Sequence, residues 1–226
     1  MAIPWQSIGR AQTPQGELEL RKRDEDEFLI TIAGRVLMNS RANRSEQVLA
    51  QAACNALAGF DSPRVLIGGL GMGCTLRRAA EALPATATIE VCELNEVVRE
   101  WCAGPLAELN GHVLEDPRVH VFIADVARTI EARAREKKSP RFDAIVIDLY
   151  EGPHPRTDAT WDPFYGRVAL DATRRALSKG GVFAVWSEAP DRAFEKRLEK
   201  VGFEVEKLRA GRGGRRHVVY LARRVR

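Results

Sequence analysis

Between Glu17 and Met38 apolar and polar residues alternate, with Leu18, Leu20, Phe28, Ile30 and Ile32 at every second position. That period of two predicts paired strands, broken at the acidic turn Asp24-Glu25-Asp26 and again at Gly34. From Ser45 the spacing changes to Val48, Leu49, Ala52 and Leu57, which predicts a helix capped by Asn43 or Ser45 and ending near Gly59. Beyond Asp61-Ser62-Pro63 the chain becomes rhythmic. The apolar runs are Val65–Ile67, Ile89–Cys92, Val119–Ile123, Ala144–Ile147 and Val182–Trp186, and they are separated by helical spacings at Thr75–Leu83, Glu96–Leu109, Val126–Lys137 and Asp162–Leu177. Apolar strands alternating with amphipathic helices predict an α/β fold with a parallel sheet covered on both faces. The chain closes with a helix over Asp191–Val201, a strand near Phe203–Val205, a turn at Gly211–Gly214 and a strand over His217–Leu221. Two strands joined by so short a turn must run antiparallel.

In 226 residues this leaves room for one core, so the expected division is an N-terminal β-hairpin arm over residues 1–40 and a single domain over 41–226. No apolar run is long enough to span a membrane and the start lacks secretory grammar, so a soluble, cytoplasmic protein is expected. Cys54, Cys74, Cys92 and Cys102 show no metal or disulfide spacing and read as reduced core residues; no metal is expected. The net charge of +4 is local in origin. Lys207, Arg209, Arg212, Arg215, Arg216, Arg223, Arg224 and Arg226 carry eight positive charges without an acid among them, so residues 1–206 sum to −4. A basic terminus of this kind reads first as a solvated edge, and nucleic acid is not the expected partner.

The first strand of the rhythmic region runs into Gly68-Gly69-Leu70-Gly71-Met72-Gly73 and then a helix. Such a loop turns tightly and leaves backbone N–H groups free at the helix start, as nucleotide sites require, although a tight turn alone demands the same residues. Glu93 ends the second strand, twenty-two residues beyond Gly71, where a carboxylate accepts both ribose hydroxyls; Leu94 follows it. Asp125, before Val126, sits at the end of the third strand and is either an acceptor for an adenine amino group or a helix N-cap. The dinucleotide spacing would require glycine at Cys74, so Gly69, Gly71 and Gly73 fit an S-adenosylmethionine site instead. The fourth strand ends at Asp148-Leu149-Tyr150-Glu151, which sends two carboxylates and a phenol out of the carboxyl edge, the edge beyond which ligands bind in such sheets.

These stretches, together with Leu76-Arg77 and Phe164-Tyr165, resemble the spermidine synthase-like (polyamine aminopropyltransferase) family within the class I S-adenosylmethionine-dependent methyltransferase superfamily. The resemblance covers roughly residues 17–206. It implies a Rossmann-like, mostly parallel seven-stranded sheet with a C-terminal antiparallel hairpin and a small N-terminal β-hairpin. It also implies S-adenosylmethionine or its decarboxylated form as co-substrate, held by Gly69, Gly71, Met72, Gly73, Glu93, Leu94, Asp125, Val126 and Asp148. Asp148 and Glu151 would be catalytic, positioning and activating a small amine, with Glu46, Tyr150 and Tyr165 toward the substrate and a homodimer as the assembly. Three positions depart from the family. Met72 replaces the acid that pairs with the donor's amine, Ser45-Glu46 replaces Tyr-Gln, and Leu149-Tyr150 replaces Ser-Ser. Met72 cannot pair with an ammonium, so alkylation by methyl is expected over aminopropyl. The alternatives are true spermidine synthase activity, transferring aminopropyl from decarboxylated S-adenosylmethionine to putrescine, and a nucleic-acid-binding or RNA-modifying protein that uses the Arg-rich C-terminus.

Overall fold

The computed structural model of the chain describes residues 3–149, 152–154, 157, 159–210 and 217–225. Four antiparallel strands come first, β1 (Gln6–Thr13), β2 (Gly16–Arg23), β3 (Glu27–Ile32) and β4 (Arg35–Asn39), lying side by side in that order. Alternation fixes the face of each residue. Leu20 pairs with Ile30 across β2 and β3, and both are buried, as are Leu18 and Phe28. The turn between β3 and β4 is the two-residue Ala33-Gly34, both at positive φ, which suits the twist of a hairpin. On the opposite face Glu19 accepts from Arg10 at 2.8 Å and meets the Arg21 guanidinium at 2.5 Å. Hydrogen bonds from Arg21 and Ser7, with Arg10 beside them, hold its carboxyl down to about 2. The alternation of the sequence first shows at Glu17, so β1 adds a strand that the pattern did not predict. Most of its residues are exposed, and at Gly9 a Cβ would come within 2.6 Å of the Trp101 indole nitrogen.

Seven strands form the second sheet: β5 (Arg64–Gly68), β6 (Thr88–Glu93), β7 (Val119–Ile123), β8 (Phe142–Ile147), β9 (Leu177–Ser187), β10 (Phe203–Arg209) and β11 (Val218–Arg224). Their order is β10-β11-β9-β8-β5-β6-β7. The first five in the chain are mutually parallel, and β11 runs antiparallel to both β9 and β10. Successive residues of one strand feed two separate cores. Val65, Ile67, Val91 and Val146 join Leu18, Leu20, Leu49 and Leu76 on one face, while Leu66, Ile145, Ile147 and Val185 join Ile130, Leu170 and Phe194 on the other. The first face is covered by α1 (Arg44–Asn55), α2 (Cys74–Ala82), α3 (Glu96–Ala103) and the four-stranded sheet, and the second by α5 (Val126–Arg135), α6 (Arg167–Ala176) and α7 (Arg192–Val201).

Two predicted helices are shorter than their spacing suggested. The one expected over Glu96–Leu109 stops at Gly104-Pro105 and resumes as the single turn α4 (Ala107–Asn110), because Gly104 leaves helical dihedrals and proline cannot donate. The one expected from Asp162 begins at Arg167. Asp162 Oδ1 instead accepts from the backbone N–H groups of Phe164 and Tyr165 at 3.0 and 2.6 Å, holding a local turn in place of a first helical turn. The turn at Gly211–Gly214 lies outside the described residues, as do Arg212, Arg215, Arg216 and Arg226 of the basic terminus. Among the described residues no helix is long and apolar enough to cross a membrane, and no cluster of His, Cys, Asp or Glu is placed to hold a metal ion.

Candidate active site

The strand order reverses at β5, whose neighbours β6 and β8 are reached by connections leaving in opposite directions. In sheets of this order ligands bind at such a point, beyond the carboxyl ends of the strands, and the loop from Gly68 to Gly73 lies there. Gly69 (φ 93) runs so close to the Asp148 carbonyl that a Cβ would sit 2.5 Å from the oxygen. At Gly71 (φ 53) a Cβ would meet the Met38 Sδ of β4 at 2.5 Å. At Gly73 it would meet the Asn110 Cβ at 2.8 Å. The chain itself occupies the Cβ directions of these glycines, and β4 reaches the loop through Met38, which no local pattern predicts.

Glu93 is buried at the tip of β6. Its Oε2 accepts from the Leu70 N–H at 3.0 Å and its Oε1 from the Asn95 N–H at 2.9 Å. A carboxylate offers about four acceptor sites, so each oxygen retains one while the loop and the strand tip are fastened together. Leu94 follows with its side chain about half exposed (52 %). Asp125 is the N-cap of α5: its Oδ1 accepts from the Ala127 N–H at 2.8 Å, while Oδ2 lies 3.9 Å from Arg128 and keeps acceptor capacity. Val126, at the start of α5, is buried with its methyl groups against Gly68 at the foot of the glycine loop.

Asp148 ends β8, its backbone N–H donating to the Gly68 carbonyl at 3.0 Å. Thr75, in the first turn of α2, donates its hydroxyl hydrogen to Asp148 Oδ2 at 2.5 Å. Burial, aided by the charge of Glu46 and opposed by the Thr75 bond, pushes the Asp148 carboxyl up to about 7. Glu46 stands in the first turn of α1, its Oε2 accepting from Ser45 Oγ at 2.7 Å. The start of α1 lies against the start of α2, where Asn43 Nδ2 contacts Cys74 Sγ at 3.8 Å. The charge of Glu46 is thus felt at Asp148, far away in sequence. The same Glu46 charge, added to burial, helps push the Cys74 thiol up to about 11, so this cysteine stays protonated.

Two expected site residues are packed into the cores instead. Met72 is 1 % exposed and belongs to the core beneath the first face, so its thioether is packed away from the loop's open side. Tyr165 is 2 % exposed, stacked edge-on to Phe194 at 5.6 Å in the opposite core. Large apolar surface at a turn flanking α6 is more stable inside than on a wet wall. Tyr150 and Glu151 lie outside the described residues. Gly152 packs against the Trp186 carbonyl, and Ser187 Oγ donates to the Pro153 carbonyl at 3.2 Å, so the loop rejoins the body at the end of β9.

A parallel sheet of this order with an antiparallel C-terminal pair, a glycine loop after its first strand and acids at its strand tips is the class I methyltransferase fold. No family model matches the chain. In sequence it is similar to polyamine aminopropyltransferases. It is 28% identical over 127 residues to that of Clostridium tetani, covering 56% of this chain and 41% of that protein. It is 31% identical over 127 residues to that of Mycobacterium tuberculosis, covering 56% and 23%. The matched stretch therefore spans less than half the length of these relatives. In fold the chain is similar to spermidine synthase from Thermotoga maritima, with a TM-score of 0.76 over 98% of this chain and 74% of that one at 19% identity. A spermidine synthase in complex with the transition-state analogue AdoDATO gives 0.75 over 98% and 73%, also at 19% identity.

Proposed function

We propose that the chain is an alkyl transferase of the polyamine aminopropyltransferase kind, acting on a small amine such as putrescine with decarboxylated S-adenosylmethionine as donor. The observation that carries this reading is the Asp148 carboxyl, fixed beside the glycine loop by Thr75 and within reach of the Glu46 charge, an acidic corner suited to a cationic amine. Preference for methyl over aminopropyl rests on Met72 alone. Met72 is packed in the core, and the curated relatives are polyamine aminopropyltransferases, so the reading favours aminopropyl.

The residues at the strand tips suit an adenosine. The remaining acceptors of Glu93 match a pair of ribose hydroxyls, Asp125 Oδ2 an amino group and Leu94 an apolar ring face. When bound, such a donor supplies a carbon made electrophilic by its sulfonium neighbour. Asp148, whose carboxyl changes protonation near neutral pH, holds the ammonium when ionised, while Glu46 adds a second anion to the same corner. Glu151 remains the proposed base for the acceptor nitrogen. The test is to incubate the full chain with putrescine and decarboxylated S-adenosylmethionine, and separately with S-adenosylmethionine. Methylthioadenosine in the first reaction supports the proposal, and S-adenosylhomocysteine in the second with none in the first defeats it.

A further inference from the structure

The opposite edge of the seven-stranded sheet carries a second feature. There β8 and β9 begin, β11 ends, and α5 and α6 finish. Together they enclose a cleft of about 560 Å³, within the range of small-molecule sites. Arg135, Lys137, Arg141, Arg175, Lys179 and Arg224 all line it, and no acidic side chain does. Helix C-termini attract cations, which accounts for part of this set. Arg135 and Arg175 stand in the last turns of α5 and α6 and pair outward with Glu131 and Asp171 at 3.1 and 3.0 Å. Arg141 donates to the Arg133 carbonyl and Arg224 to the Leu177 carbonyl, each using one of five N–H donors.

The remainder is unexplained by helix capping. Lys137 and Lys179 are exposed beyond the helix ends, and among the described residues none of Lys137, Arg141, Lys179 and Arg224 has a carboxylate partner. The Nε of Arg224 is buried without a hydrogen-bond acceptor. The nearby acid Asp143 is committed elsewhere, accepting from the Arg64 N–H at 2.9 Å and from Ser178 Oγ at 2.6 Å. Burial together with the Arg174 and Arg141 charges pulls Arg224 below its usual range, the sign of an uncompensated positive potential.

We propose that this cleft is a binding site for a compact oligophosphate, either a nucleoside triphosphate or a free polyphosphate, separate from the amine site at the other edge of the sheet. Four unneutralised cations call for more negative charge than a dicarboxylate carries, and guanidinium forks match phosphate oxygens. The cations converge on one open depression between two helix ends rather than running along a groove, which favours a compact polyanion over an extended strand.

Titration calorimetry of the full chain with inorganic tripolyphosphate, ATP, orthophosphate and a single-stranded RNA tests this. Saturable one-to-one binding of tripolyphosphate, with orthophosphate far weaker, is expected; ATP binding equally well assigns the site to the phosphate chain, and ATP binding better assigns it to a nucleotide. Charge reversal by Lys137→Glu with Lys179→Glu, both on exposed side chains, should weaken binding by about tenfold or more. Asp148→Asn, at the far edge, should leave it unchanged. No binding of tripolyphosphate, equal binding by the double variant, or RNA displacing tripolyphosphate with a steep salt dependence overturns the proposal.

Discussion

Thr75 and Asp148 join the first turn of α2 to the tip of β8 through one hydroxyl hydrogen bond of 2.5 Å, made to a carboxyl that burial holds near neutrality. Thr75→Val keeps the shape and removes the donor. The bond favours the ionised form, so its loss should raise the Asp148 pKa above about 7 and shift the acidic limb of kcat/KM for amine alkylation upward. Stability above neutral pH should fall by about 1–2 kcal/mol, measured by urea denaturation.

The raised Asp148 carboxyl also sets a direction for stability against pH. In the folded chain it binds its proton up to about 7, against an ordinary 3.8 when unfolded. The folded state therefore holds more protons across that window, and its contribution is complete below 3.8 and lost as pH rises through 7. Asp148→Asn should remove that slope and gain on the order of 2 kcal/mol relative to wild type at pH 8, discounted because the residue is only half-buried. His112, whose pKa is raised by Glu108 and Glu115, adds a pH dependence of its own, so the quantity to compare is the difference in Tm between wild type and variant across pH. Glu19 acts with the opposite sign, its stabilisation present above 4.5 and lost as pH falls toward 2, mostly below the Asp148 window.

Gly69 and Gly71 should respond differently to alanine. Gly71→Ala meets the flexible end of Met38 and a left-handed φ, and is expected to cost about 1–2 kcal/mol. Combining it with Met38→Ala should recover the steric share in a double-mutant cycle. Gly69→Ala meets the Asp148 carbonyl, which no side-chain change relieves, so it should be the more damaging and show no rescue.

Glu93→Gln leaves an N–H₂ group facing a backbone N–H, either that of Leu70 or that of Asn95. The expected loss is about 1–3 kcal/mol in denaturant unfolding. Methylthioadenosine affinity should fall by about tenfold if the same carboxylate accepts the ribose, measured by calorimetry.

Much of the sheet was legible because buried parallel strands leave uninterrupted apolar runs and their helices leave a regular spacing. β1 was not, because Gln6–Thr13 is mostly exposed and leaves no apolar face to read. The acids were legible as strand tips, and Asp125 proved to be the N-cap that its position also allowed. What local pattern could not supply was which side chains converge from distant segments. Met38 reaches the glycine loop from β4 and Thr75 reaches Asp148 from α2, and no spacing along the chain links them. Met72 and Tyr165 failed for the converse reason: their alignment with functional positions says nothing about which way a large apolar side chain turns once two cores compete for it.

The sheet divides the molecule electrically from end to end. Among the described residues, Glu93, Asp125 and Asp148 stand at the carboxyl rim of the sheet and the arginines and lysines without carboxylate partners at the other, so local charge differs in sign between the two rims. A small cation of the kind proposed as substrate would be drawn toward the acidic rim and turned away from the basic one. Adding salt would slow that capture without changing any contact made after arrival.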